Sequence, residues 1–251
     1  MTDDKLAVLI DADNVPYKNV KEMLEEISRN GTPTIKRIYA DWTKPNASGW
    51  KNVLLENAIT PIQQYSYTTG KNSSDSALII DAMDILYSEK VDGFCIVSSD
   101  SEFTRLATRL REAGMNVIGF GEKKTPKPFI SACDKFIYLE ILNSTDDSDK
   151  DSESTVTKKT EKPKRKKEPL SKVDSRTIKL ITESINDLGD EDGWTFLGNL
   201  GSFIIKKKPD FDPRNFGFAK LLPLIKSIGK IEIDERETGV NNIRHIYVKV
   251  K

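Results

Sequence analysis

Short, unbroken apolar runs alternate with amphipathic helical stretches through the first half of this chain, and no other feature narrows its fold as far. LAVLI (6–10), TIKRIYA (34–40), ITPIQQY (59–65), FCIVSS (94–99), NVIGF (116–120) and KFIYLE (135–140) read as strands. Helical patterns fall between them near 17–29, 48–58, 73–88, 102–113 and 127–132. A strand that is apolar on both faces needs cover on both. The pattern therefore predicts an α/β fold, a largely parallel sheet flanked by helices. LAVLI runs straight into Asp11 and FCIVSS into Asp100, which puts two acids at the carboxyl ends of strands. In open α/β sheets that edge is where ligands bind.

The charge balance is level overall, 39 Lys+Arg against 39 Asp+Glu, but it is assembled from unlike segments. Residues 1–143 carry 17 basic and 20 acidic side chains, a net of −3. Residues 144–171, STDDSDKDSESTVTKKTEKPKRKKEPLS, hold 8 basic and 7 acidic residues and almost nothing apolar. Such a segment cannot bury enough surface to offset its ordering entropy, so it is expected to be a disordered linker that leaves the flanking domains without one fixed placement. Residues 172–251 carry 14 basic and 12 acidic residues, a net of +2. The sequence contains no apolar run near 18 residues, so no membrane partner is expected, and the acidic start, Met1-Thr2-Asp3-Asp4-Lys5, does not resemble a basic signal peptide. Cys95 and Cys133 each sit in an apolar run and form no Cys-x-x-Cys motif, and the expected location is cytoplasmic. The single histidine, His245, leaves little room for imidazole triads or His-rich zinc sites, so carboxylates are expected to carry the chemistry.

In residues 172–251, Ile178, Ile181, Ile185 and Leu188 repeat at helical spacing. A second helix is expected to start at Thr195 as N-cap, and a third at Asp212-Pro213. Phe218, Leu221, Leu222, Ile225 and Ile228 form the apolar stripe of the third, where Pro223 predicts a kink or break. Residues 230–234 and 243–250 alternate like a hairpin. Three helices and a hairpin describe a small winged helix-turn-helix domain.

The acids stand where acids are expensive. On a helix opening at Asn72-Ser73-Ser74-Asp75, Asp75 continues the stripe of Leu78, Ile79, Ala82 and Leu86, whereas Asp81 and Asp84 lie off it. Asp75 also reads simply as an acid favoured at a helix N-terminus. Asp11, Asp75 and Asp100 can converge at the sheet's carboxyl edge, with further oxygens from Asp13, Asn14 and Glu102. Clustered carboxylates repel one another unless a cation compensates, and oxygen-only donors suit Mg²⁺ or Mn²⁺ rather than zinc. Such an ion acts on phosphate esters. Asp11-Ala12-Asp13 also matches the Asp-x-Asp signature of haloacid-dehalogenase-type phosphatases, in which the first Asp is the nucleophile.

The stretches LAVLIDADN, KNSSDSALIIDAMDIL, FCIVSSDSEFTRLATRLREAG and VIGFGEKKTPKPFISACDKFIYLE, within residues 5–140, resemble the limkain-type NYN domain of the PIN-like nuclease superfamily. The resemblance implies a PIN-like α/β sandwich with a metal-dependent ribonuclease centre. Asp11, Asp75 and Asp100 then correspond to the catalytic and metal-binding acids, with Asn14 and Asp81 supporting them. Glu102 occupies a position usually Asp, one methylene longer than the pattern asks. Lys71 and Ser99 are candidate phosphate contacts, with a solvated lysine and a strand-end serine as the plainer readings. The stretch IKLITESINDLGDEDGWTFLGNLGSFIIKKKPDFDPRNFGFAKLLPLIKSIGKIEI resembles the OST-HTH (LOTUS) winged helix, a family associated with RNA and in some members with helicase partners. Lys206, Lys207, Lys208, Arg214, Lys220 and Lys226 are the candidate RNA phosphate contacts there, and Phe216 and Phe218 can stack on bases. A solvated helix face is the bland alternative for each lysine, and packing for Phe218, His245, Trp42, Trp50 and Trp194.

Two functions follow. One is a metal-dependent RNA endonuclease using Mg²⁺ or Mn²⁺, whose OST-HTH domain recruits RNA. The other is an RNA- or protein-binding adaptor whose site does not turn over, for which Glu102 is the one hint. PIN-like domains often pair, so a homodimer is a further expectation.

Overall fold

The computed structural model describes residues 4–43, 49–65, 73–142, 169–237 and 244–251. Lys71, Asn72 and most of the expected linker, 144–168, lie outside the described residues.

The first unit runs β1 (Lys5–Asp11), α1 (Val20–Ser28), β2 (Thr32–Ala40), α2 (Lys51–Asn57), β3 (Thr60–Gln63), α3 (Ser73–Tyr87), β4 (Gly93–Val97), α4 (Thr104–Glu112), β5 (Asn116–Gly121), α5 (Lys127–Ala132), β6 (Lys135–Tyr138) and α6 (Leu139–Leu142). Its six strands pair in the order β3-β2-β1-β4-β5-β6, every pair parallel. Successive side chains of a strand point to opposite faces, so β1 sends Ala7 and Leu9 into one core and Leu6, Val8 and Ile10 into the other. The first core is closed by Leu78, Phe103 and Phe129 from the helices on that side, the second by Met23, Ile27 and Leu54. Strand order reverses between β1 and β4, and Asp11 and Asp100 stand at the carboxyl side of that switch.

The second unit contains α7 (Ser175–Leu188), β7 (Thr195–Phe196), α8 (Leu197–Lys207), α9 (Leu221–Ile228), β8 (Ile231–Glu237) and β9 (Arg244–Val250). Its antiparallel sheet has the order β7-β9-β8 and packs on a core of Ile181, Ile185, Leu200, Ile204, Leu224, Ile225 and Val248. Three expectations need correction here. Thr195 does not cap a helix; it opens the short β7 and its hydroxyl donates to the Ile185 carbonyl. Asp212-Pro213 starts only a 3₁₀ turn, Pro213–Phe216, which Gly217 ends at a φ of 82°. Pro223 causes no kink because α9 begins at Leu221, so the proline sits in the first turn, where no intrahelical donor is needed. The two units also touch: the Pro209 carbonyl accepts from the Phe136 amide on β6 at 2.8 Å.

Candidate metal centre

Asp11 ends the central strand and is 1% exposed. Its Oδ2 accepts from Ser98 Oγ at 2.8 Å and Asn14 Nδ2 at 2.7 Å, and its Oδ1 from the Asp13 amide at 3.1 Å. Burial raises its pKa above the ordinary aspartate value, against the opposing pull of those hydrogen bonds. Both oxygens of Asp11 are thus already hydrogen-bonded, Oδ2 twice and Oδ1 once.

Asp75 lies in the first turn of α3 and is 6% exposed. Burial is the main force pushing its pKa up to about 7, followed by the charges of Asp11, Glu102, Asp100 and Asp13. Asp100 caps the 3₁₀ turn Ser101–Phe103, its Oδ1 accepting from the Glu102 amide at 3.1 Å, while its own amide donates to Ser98 Oγ at 3.1 Å. That cap brings the Glu102 side chain round beside it. One carboxylate oxygen each from Asp75, Asp100 and Glu102 lies within 4.8 Å of the other two. These three donors are all hard oxygen, a set that could hold a hard divalent cation.

The other candidates take different places. Asn14 holds Asp11. Ser99 is buried and its hydroxyl accepts from the Glu122 amide at 2.8 Å, which ties down the loop after β5. Asp81 accepts from Arg37 Nη1 and Tyr39 Oη, fastening α3 to β2. Lys71 is outside the described residues. Ser98 is the site residue sequence reasoning passed over: fully buried, it bridges Asp11 and Asp100, and its place directly after the apolar run of β4 was the signal. Cys95 and Cys133 are free but buried, their thiols pushed up to about 12, so neither is a ligand. Trp42 packs beside the second core and donates from Nε1 to the Ile62 carbonyl.

In the second unit, Lys206, Lys220 and Lys226 are exposed and Lys208 half-buried. Lys207 Nζ pairs with Asp187 at 2.6 Å and lies 4.5 Å from the Phe203 ring centre. Arg214 is turned inward and bound to Asp212 and Glu26, so it offers no free guanidinium to a nucleic acid. Phe216 is buried, which corrects the expectation that it stacks on bases, and Phe218 packs on the core, in line with the packing reading of that residue.

The NYN domain family matches residues 5–140, more than half of the chain. This chain belongs to the NYN family. An OST-HTH/LOTUS domain matches residues 168–243. Among solved structures, a protein of unknown function from Vibrio parahaemolyticus is 20% identical to it, over 53% of this chain and 91% of that one, with a TM-score of 0.45. An uncharacterized protein from Nitrosomonas europaea, solved by solution NMR, is 25% identical over 39% of this chain and 92% of that one, with a TM-score of 0.30. No curated protein matches the chain. The acidic cluster thus sits at the switch point of an NYN sheet, and among the described residues no helix is long and apolar enough to cross a membrane.

Proposed function

We propose that this NYN protein is a metal-dependent ribonuclease of the cytoplasm that hydrolyses RNA phosphodiester bonds, its OST-HTH domain recruiting the RNA. The observation that carries the reading is the convergence of Asp75, Asp100 and Glu102 oxygens at the switch in strand order. These three side chains would hold Mg²⁺ or Mn²⁺. When bound, such an ion stabilises charge on a phosphoryl oxygen and makes water a stronger nucleophile at neutral pH. The chain's own residues do the positioning. Ser98 fixes Asp11 against the site and sets the Asp100 backbone, so the acids are placed before substrate arrives. Asp11, which the resemblance places among the metal ligands, lies outside the group of three mutually close oxygens, and its charge adds to the field at Asp75 that a cation would offset.

The exposed lysines of the OST-HTH domain supply the salt-dependent attraction to RNA that an acidic NYN domain lacks. Glu102 standing where relatives usually carry Asp favours the second reading, an RNA-binding adaptor without turnover. Cleavage of single-stranded RNA with Mn²⁺ or Mg²⁺ tests the choice, with EDTA and Asp100→Asn as controls. The nuclease reading expects metal-dependent products that vanish in both controls. RNA binding without cleavage by the wild type under either metal would select the adaptor.

A further inference from the structure

The OST-HTH domain meets the NYN domain through a small set of directed contacts. Arg214 Nη1 and Nη2 donate to the two carboxylate oxygens of Glu26 on α1, each at 2.9 Å, in a parallel fork. Arg214 also binds Asp212 of its own domain, at 2.7 Å from Nη2 and 3.0 Å from Nε. The Arg214 side chain is 18% exposed and that of Glu26 7%, so water can replace little of this pairing. Beside it, the outward amide of Phe136 on the edge strand β6 donates to the Pro209 carbonyl, and Tyr138 Oη donates to Asp210 at 2.9 Å. At the other end of the domain, Lys123 Nζ donates to the Leu170 carbonyl at 2.6 Å, and Leu170 packs beside the second NYN core.

We infer that the NYN face formed by α1 and the β6 edge is a docking surface for the chain's own loop 209–215, clasped by Arg214, and that the two domains work as one body rather than as modules on a tether. Charge and geometry both single out this occupant. Glu26 is buried and already pairs with Arg29 at the end of α1 at 3.1 Å; the loop adds a second guanidinium whose two parallel donors engage both carboxylate oxygens. An edge strand left open is a template for foreign strands, and the Pro209 carbonyl of the loop occupies one of its donors. The inference does not depend on catalysis by the acidic cluster.

Two measurements on the full chain test it. Hydrogen exchange followed residue by residue expects the Phe136 amide to be protected in the wild type. Spin labels on Lys90→Cys and Lys226→Cys, both exposed positions, read the distance between the domains, the native thiols being buried. The wild type is expected to give one narrow distance. Glu26→Gln with Tyr138→Phe, which leaves Arg214 its Asp212 partner, is expected to lose it to a broad distribution. Free exchange at Phe136, a broad distribution in the wild type, or a narrow one in the folded double variant would overturn the inference.

Discussion

At the scale of single residues, the site is governed by one hydroxyl and two buried acids. Ser98 Oγ donates to Asp11 and accepts from the Asp100 amide, so one side chain sets the positions of acids from two strands. Its replacement leaves a buried carboxylate oxygen and a backbone donor each short of a partner. Ser98→Ala is expected to destabilise the fold by about 1–3 kcal/mol, read from urea unfolding. A loss well below that range would mean that water or Asn14 takes over its role. The lone histidine, by contrast, is packing: His245 lies against the Phe196 ring at 5.0 Å.

At the scale of elements, α3 carries Asp75 to the cleft, and Asp81 about one and two-thirds turns on fastens that helix to β2 through Arg37 and Tyr39. Tyr39 is fully buried, so its hydroxyl depends on this acid. Asp81→Ala is expected to cost about 1–3 kcal/mol of stability in chemical denaturation while Mn²⁺ affinity stays near wild type; a large loss of affinity instead would make Asp81 part of the metal site. Such roles mark the limit of what the sequence discloses. The central strands β1, β4 and β5 were legible because each is apolar on both faces, and the acids after β1 and β4 because they interrupt those runs. Asp75 was legible as an acid continuing an apolar stripe. What escaped was set by tertiary partners: whether Asp81 meets solvent or Arg37, whether Arg214 meets RNA or Glu26, and whether Pro223 falls inside a helix or in its first turn. That last outcome turned on Gly217, whose left-handed conformation ends the preceding turn and delays the helix to Leu221.

For the molecule as a whole, the acidic cluster couples metal, proton and stability. The Asp75 carboxyl, raised from 3.8 to about 7, holds its proton more tightly in the folded protein than in the unfolded one. Its contribution to stability is therefore complete below about pH 4 and is lost as the pH rises through about 7. Asp11, also raised, acts in the same direction. A divalent ion replaces the missing positive charge, so the rise in Tm on adding Mn²⁺ should be larger at about pH 8 than at about pH 5.5, measured by thermal scanning. An equal rise at both pH values would show that the ion binds away from these acids. The docked OST-HTH domain adds a second whole-molecule property, a fixed placement beside β6 that neither domain's sequence announces. The most direct test of the central claim is calorimetric titration of Mn²⁺ into the wild type, Asp75→Asn and Asp100→Asn. The account predicts a wild-type site that both substitutions abolish; Mn²⁺ binding that is unchanged in the two variants would contradict it.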